Sequence, residues 1–289
     1  MSKAANAKKT EQVNTTETRE IDAKGIIDFL KSKMPARFKM WLNICASCGL
    51  CADTCHYYLS SGKDPYMIPA HKVKFLKEIL KKKGKVDRSY LQKVYDTVYH
   101  ECNMCRRCTL YCPFGIDIAQ MISLLRSLLL SQGIAPEGLL TTIENYNEFG
   151  NQMAISKEDW VDTVEWCEEE TADELVGLKI PIDKKGAKIL YTVNAREPKF
   201  YPQDIMEVAQ IFHVAGEDYT LCSEDGLDGT NLAMFCGDAK TARLMVENTF
   251  KRADELEIQQ VAVTECGHAY RALRFEAPAW LGYTPKQEV

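Results

Sequence analysis

Two cysteine runs of identical spacing constrain this 289-residue chain more than any other feature. The first is Cys45-x-x-Cys48-x-x-Cys51-x-x-x-Cys55. The second is Cys102-x-x-Cys105-x-x-Cys108-x-x-x-Cys112, followed directly by Pro113. Three cysteines at two-residue intervals wrap a tight loop around one corner of an iron–sulfur cubane, and a fourth beyond the loop commonly ligates the other cluster of a pair. The spacing therefore predicts two 4Fe–4S clusters with crossed ligation. Cys45, Cys48, Cys51 and Cys112 surround one; Cys102, Cys105, Cys108 and Cys55 surround the other. Gly49 is expected to let the backbone approach the sulfurs, and Pro113 closes the second run. Structural zinc sites instead pair two short Cys-x-x-Cys knuckles, and the cysteines of radical S-adenosylmethionine enzymes are spaced differently and leave one iron open. With every iron ligated, the pair is expected to conduct electrons rather than act on a substrate.

The compartment follows from what surrounds these runs. Twelve cysteines in one chain suit a disulfide framework only in an oxidising setting. Met1 to Glu20 is polar and has no apolar segment of the secretory type. The longest apolar stretch, Ile116 to Leu130, is interrupted by Asp117, Gln120 and Arg126 and is too short to span a bilayer. A cytoplasmic chain with reduced, metal-binding thiols is expected, with no nucleic-acid partner. Residues 1–133 hold 22 Lys and Arg against 12 Asp and Glu, whereas residues 134–289 hold 14 against 29. That asymmetry points to two domains with different partners.

The fold class read from the pattern is α+β and multi-domain. Residues 1–22 lack periodicity and are expected to be a disordered tail. Residues 23–133 form an α-helical ferredoxin domain. Within it lie an amphipathic segment over Gly25 to Leu42 broken near Pro35, a lysine-rich helix over His71 to Lys83, a helix capped by Asp87, and a helix over Ile116 to Leu130. Residues 134–186 are an acidic helical connector containing a helix at Trp160 to Glu170. Residues 187–289 alternate strands (Lys188 to Val193, Tyr219 to Cys222, Val261 to Thr264) with helices (Gln203 to Val214, Ala239 to Leu256), which predicts an α/β unit with a parallel sheet. Ligands of such sheets lie beyond the carboxyl ends of the strands, where Cys222 and Cys266 fall.

Four cysteines stand outside the two runs. Cys167, inside an acidic helix, reads as a small buried hydrophobe. Cys222, Cys236 and Cys266 each close an apolar run. Phe235-Cys236-Gly237-Asp238 leads into a helix, whose N-terminus would stabilise a thiolate or an anionic cluster. Glu265-Cys266-Gly267-His268-Ala269 sets an imidazole two residues beyond a thiol, where His268 could tune it or transfer a proton.

Together these pieces resemble the D subunit of heterodisulfide reductase over about residues 22 to 285. Cys-Gly-Asp-Ala at Cys236 and Glu-Cys-Gly-His-Ala at Cys266 look closest to DsrK, the iron–sulfur subunit of the DsrMKJOP membrane complex of dissimilatory sulfite reduction. The resemblance implies a Cys-Gly-rich (CCG-type) α/β domain half and a third, special 4Fe–4S cluster. Cys222, Cys236, Cys266 and His268 would then serve reduction of a disulfide or trisulfide. It implies a membrane cytochrome b-type partner (DsrM-like) exchanging electrons with quinone, a small sulfur-carrier protein (DsrC-like), other subunits of a membrane redox complex, and a peripheral place on the inner face of the membrane. The chain departs from the family pattern where Phe235 precedes Cys236 and where His268 stands in place of a later cysteine, and relatives continue into a second Cys-Gly-rich half. The catalytic half is accordingly expected to be incomplete in this chain. Two other readings stay open from the residues: a noncatalytic electron-transfer module, and the iron–sulfur subunit of a flavin-linked hydroxyacid or glycerol-phosphate dehydrogenase.

Overall fold

An Asp or Asn side chain stands before several helices and accepts the first N–H groups that the helix itself leaves unpaired. Asp22 accepts from Gly25 at 2.9 Å, Asp87 from Tyr90 at 2.7 Å, and Asp117 from Gln120 at 3.0 Å. The computed structural model describes residues 21–172, 175–224 and 227–289, so the expected tail lies outside the described residues except for Ile21 and Asp22. The chain forms two units. One runs through Cys102 and includes Arg107–Glu137; the other comprises Asn103–Arg106 and Gly138–Val289.

The first unit is helical. Its elements are α1 (Ala23–Lys33), α2 (Ala36–Ile44), α3 (Leu50–Asp53), α4 (His56–Ser60), α5 (Pro69–Lys72), α6 (Lys74–Lys81), α7 (Arg88–Tyr95), α8 (Arg107–Leu110) and α9 (Ile118–Ser131). Pro35 separates α1 from α2, because a prolyl residue lacks the N–H that a continuous helix needs. Helix α9 is apolar around most of its circumference, which marks a helix surrounded by protein. Ile118, Met121, Ile122, Leu125, Leu128 and Leu129 are buried, and α1, α5, α7 and α8 pack against it. Each fully buried Leu or Ile contributes about 1.5–3 kcal/mol. Helix α7 runs on into a π-helical turn over Asp96–His100 that ends two residues before Cys102. Such turns concentrate near functional sites.

The second unit contains α10 (Glu137–Phe149), α11 (Lys157–Ala172), β1 (Ile189–Thr192), α12 (Glu197–Phe200), α13 (Pro202–Ala215), β2 (Tyr219–Thr220), α14 (Leu232–Cys236), α15 (Ala239–Glu255), β3 (Gln260–Val263), α16 (Gly267–Arg271) and α17 (Ala277–Leu281). Its sheet is parallel throughout, in the order β2-β1-β3, with Ile189 facing Tyr219 on one side and Gln260 on the other. Helix α15 buries Ala242, Met245, Val246, Thr249, Phe250 and Ala253, the stripe its periodicity shows. Strand β2 is shorter than its apolar run, since Leu221 bridges instead to Ile182. Gly229 sits where a Cβ would lie 2.6 Å from Thr192 Oγ1 and 2.8 Å from the Thr192 carbonyl oxygen, so only glycine fits beside β1. No described helix is long and apolar enough to cross a membrane.

Candidate iron–sulfur and cysteine sites

The first cysteine loop begins where α2 gives way to extended backbone at Cys45. Ser47 (φ 53°) and Gly49 (φ 88°) are left-handed, Cys51 lies in α3, and Cys55 precedes α4. Left-handed residues at such intervals curl the chain so that successive N–H groups can share one concavity, a setting suited to anionic sulfur. At Gly49 the requirement is conformational: a Cβ there would meet no protein atom within 4 Å. Cys45, Cys48, Cys51 and Cys112 line one cavity of about 590 Å³, together with Trp41, Ile68, Met121 and the lysines of α6. Burial pushes the Cys51 thiol above its usual range; the Ala70 backbone opposes this, and the neighbouring Cys45, Cys48 and Cys112 add to it. Four thiols from both runs thus share one apolar-walled space with Lys74, Lys77 and Lys81 beside it. This donor set fits an anionic 4Fe–4S cluster, whose corners hold thiolates farther apart than one ion does. Among the described residues, no three His, Cys, Asp or Glu side chains converge on a single-ion site.

The second loop repeats the backbone of the first. Met104 (φ 55°) and Arg106 (φ 64°) occupy the positions of Ser47 and Gly49 relative to their cysteines. Cys102 follows the π turn, Cys105 is exposed, and Cys108 lies in α8. The Cys105 N–H donates to Asn103 Oδ1 at 3.3 Å. Buried cations hold the approach to this loop. Arg126, with no exposed surface, donates to the Val98 carbonyl at 2.6 and 3.0 Å and to the Cys102 carbonyl at 2.5 Å, and its guanidinium lies 5.0 Å over the Tyr99 ring. Lys72, 2% exposed, donates to the Glu101 carbonyl and lies 5.0 Å over Tyr57. Sequence reasoning passed over both residues. The signal for Arg126 was present as the one basic residue within a mainly apolar helical run, where it reads only as an interruption. Lys72 was hidden among solvated lysines.

In the second unit Cys222 follows β2 and is fully buried. Its Sγ donates to the Glu224 carbonyl at 3.7 Å, and its own carbonyl accepts the Trp160 indole N–H at 2.8 Å. Cys236, also fully buried, ends the short helix α14, and Gly237 (φ 97°) turns the chain away. The start of α15 is taken by Asp238, whose carboxylate accepts from Lys240 and Thr241. The helix N-terminus expected to serve Cys236 is therefore already capped. Cys266 follows β3 at the start of α16 and is partly exposed. The ring of His268 meets Phe235 edge-on, with centroids 4.9 Å apart at 75°, which sets the end of α14 beside the start of α16. His268 Nε2 lies 3.2 Å from the Asn103 carbonyl oxygen, so this nitrogen carries the proton. The structure brings the Cys236 and Cys266 segments together through this ring pair, and Trp160 fixes the backbone at Cys222. Cys167 is buried, donates to the Pro202 carbonyl at 3.7 Å, and is pushed up to about 11 by burial, the behaviour of an inert thiol.

A 4Fe–4S dicluster domain family matches residues 41–116, which contain both runs. The chain is 28% identical over 256 residues to the Hdr-like menaquinol oxidoreductase iron–sulfur subunit 2 of Archaeoglobus fulgidus, covering 81% of this chain and 45% of that protein. It is 27% identical over 271 residues to the Hdr-like menaquinol oxidoreductase iron–sulfur subunit of Archaeoglobus profundus, covering 85% and 48%. It is 23% identical over 266 residues to the D subunit of the dihydromethanophenazine:CoB–CoM heterodisulfide reductase of Methanosarcina acetivorans, covering 84% and 59%. This chain is a homologue of heterodisulfide reductase-like iron–sulfur subunits. It spans about half the length of the first Hdr-like relatives it matches. No solved structure matches it. The Hdr-like match covers 81% of the chain and therefore extends into both units.

Proposed function

We propose that the chain is the iron–sulfur subunit of an Hdr-like menaquinol oxidoreductase, carrying electrons between a membrane quinone partner and a disulfide. One observation carries this reading: cysteines from two runs separated by more than forty residues line a single cavity in the crossed combination that their spacing implies. Cys45, Cys48, Cys51 and Cys112 hold one cubane, and Cys102, Cys105, Cys108 and Cys55 the other. Lys72 and Arg126 keep the carbonyls before the second loop in place. When bound, the clusters supply one-electron carriers for a two-electron reaction, in which a disulfide takes up two electrons and two protons and yields two thiols. The terminal step is assigned to Cys222, Cys236 and Cys266 around a third cluster, with His268 as a positioning residue that holds the Cys236 and Cys266 segments together. A cytochrome b-type subunit of the DsrM kind, a sulfur-carrier protein of the DsrC kind bearing the disulfide or trisulfide, and a peripheral cytoplasmic position complete the reading. It is supported by the menaquinol oxidoreductase function of the relatives and by the mainly basic first half of the chain.

A second reading, a noncatalytic electron-transfer module, is favoured by the complete burial of Cys222 and Cys236. Iron and acid-labile sulfide analysis with low-temperature electron spin resonance on anaerobic protein separates the two. About twelve irons with an additional signal on oxidation supports the terminal site; about eight with two ordinary cubane signals leaves an electron carrier. Folded, colourless, iron-free protein overturns both.

A further inference from the structure

Beyond the carboxyl ends of β1 and β3 lies a cavity of about 490 Å³ that the sulfur chemistry does not use. Its volume is in the range of small-molecule sites, and its position is where parallel sheets of this kind bind ligands. Tyr191 and Tyr201 contribute aromatic surface; Glu197, Asp204, Glu207 and Glu265 contribute carboxyl groups; Thr264 adds a hydroxyl. Glu197 is 6% exposed, and its Oε2 has no hydrogen-bond partner. Thr264 Oγ1 is also buried without a partner. An unsatisfied buried polar group is destabilising, and a ligand that bonds it removes that cost. The lone cation of the lining, Arg196, is already engaged: it donates to Glu265 at 2.7 Å and to Asn194 Oδ1 at 3.2 Å.

We propose that this cavity binds a small organic ammonium compound, with Glu197 accepting the N–H, a tyrosine face against the cation, and Thr264 bonding a neighbouring polar group of the ligand. Several observations select this class. An anion would meet four carboxyl groups and one occupied guanidinium. A single metal ion would need ligands that converge, and among the described residues none do so in threes. Acid and aromatic surface together suit an organic cation, which a ring face attracts.

The protonation of Glu197 provides a check. Burial, reinforced by Asp204 and Glu265 and opposed by the Asn194 backbone and Arg196, raises its carboxyl from an ordinary 4.5 to about 7. An ammonium ligand needs the ionised form, so affinity should strengthen as pH rises through about 7. The empty protein behaves in the opposite sense. The raised acid favours folding most below its unfolded value, and that advantage is lost as pH rises through the folded value.

The test is calorimetric titration of the anaerobic full chain with ethanolamine, with sodium acetate and magnesium chloride as parallel probes. Saturable ethanolamine binding is expected, stronger at about pH 8 than at about pH 6 and weakened about tenfold or more in Glu197→Gln. Thr264→Val should weaken it a few-fold. Circular dichroism checks that each variant is folded, and Glu197→Gln should raise the melting temperature of the empty protein, by more at about pH 8 than at about pH 6. Equal binding by Glu197→Gln, no saturable ethanolamine binding, or binding by magnesium or acetate in its place would overturn the assignment.

Discussion

The two cysteine loops share their spacing and their left-handed positions, yet they are held by different forces. The first rests against an apolar wall: Trp41, Ile68 and Met121 line its cavity, and lysines stand only along α6. The second is approached through carbonyls fixed by Arg126 and Lys72, both buried, and its Asn103–Arg106 portion belongs with the sheet unit. Identical cysteine spacing and left-handed positions therefore do not require identical support. An apolar wall tolerates loss of one contact, whereas a buried cation leaves several carbonyls unpaired when it is removed.

The largest effect should come from Cys112→Ser. If ligation is crossed, this change in the second run destroys the cluster of the first loop, and iron falls by about four per chain while the other cubane signal persists. Loss of the opposite signal would break the pairing. Next comes Arg126→Met, expected to destabilise the chain by about 3 kcal/mol in chemical denaturation, because the Val98 and Cys102 carbonyls lose their donor. A cost below about 1 kcal/mol would remove the distinction drawn between the loops. Smallest is the glycine comparison. Gly49→Ala should cost about 1 kcal/mol through its φ of 88°, and Arg106→Gly should relieve a backbone cost of the same kind at its φ of 64°. Reversed signs in the melting temperatures would show that the side chains, not the backbone, decide these positions.

How much of this was legible beforehand differs from residue to residue. Cysteine spacing is a local property, and the gathering of Cys112 with Cys45, Cys48 and Cys51 follows its arithmetic. The Asp87 cap, the break at Pro35 and the buried stripe of α15 are likewise set within a few residues. What was not legible depends on distant partners. The acidic helical connector carries α10 beside the expected helix α11, and their outer charges conceal the partners of Tyr146, bonded to Asn248, and of Trp160, bonded to Cys222. Glu197 reads as an ordinary surface acid until the sheet places Thr264 and Glu265 around the same cavity. Asp238 reads as part of a thiolate-stabilising turn until its carboxylate is seen to cap α15 itself.

The placement of tryptophan has an optical consequence. Of the four indoles in the chain, Trp41 stands in the wall of the first cysteine cavity and Trp160 is bonded to the backbone of Cys222. Iron–sulfur chromophores absorb where indoles emit, so filling of either site should dim the nearby fluorophore. Trp41→Phe and Trp160→Phe would separate the two signals and allow the order of metal loading to be followed in real time without an added label.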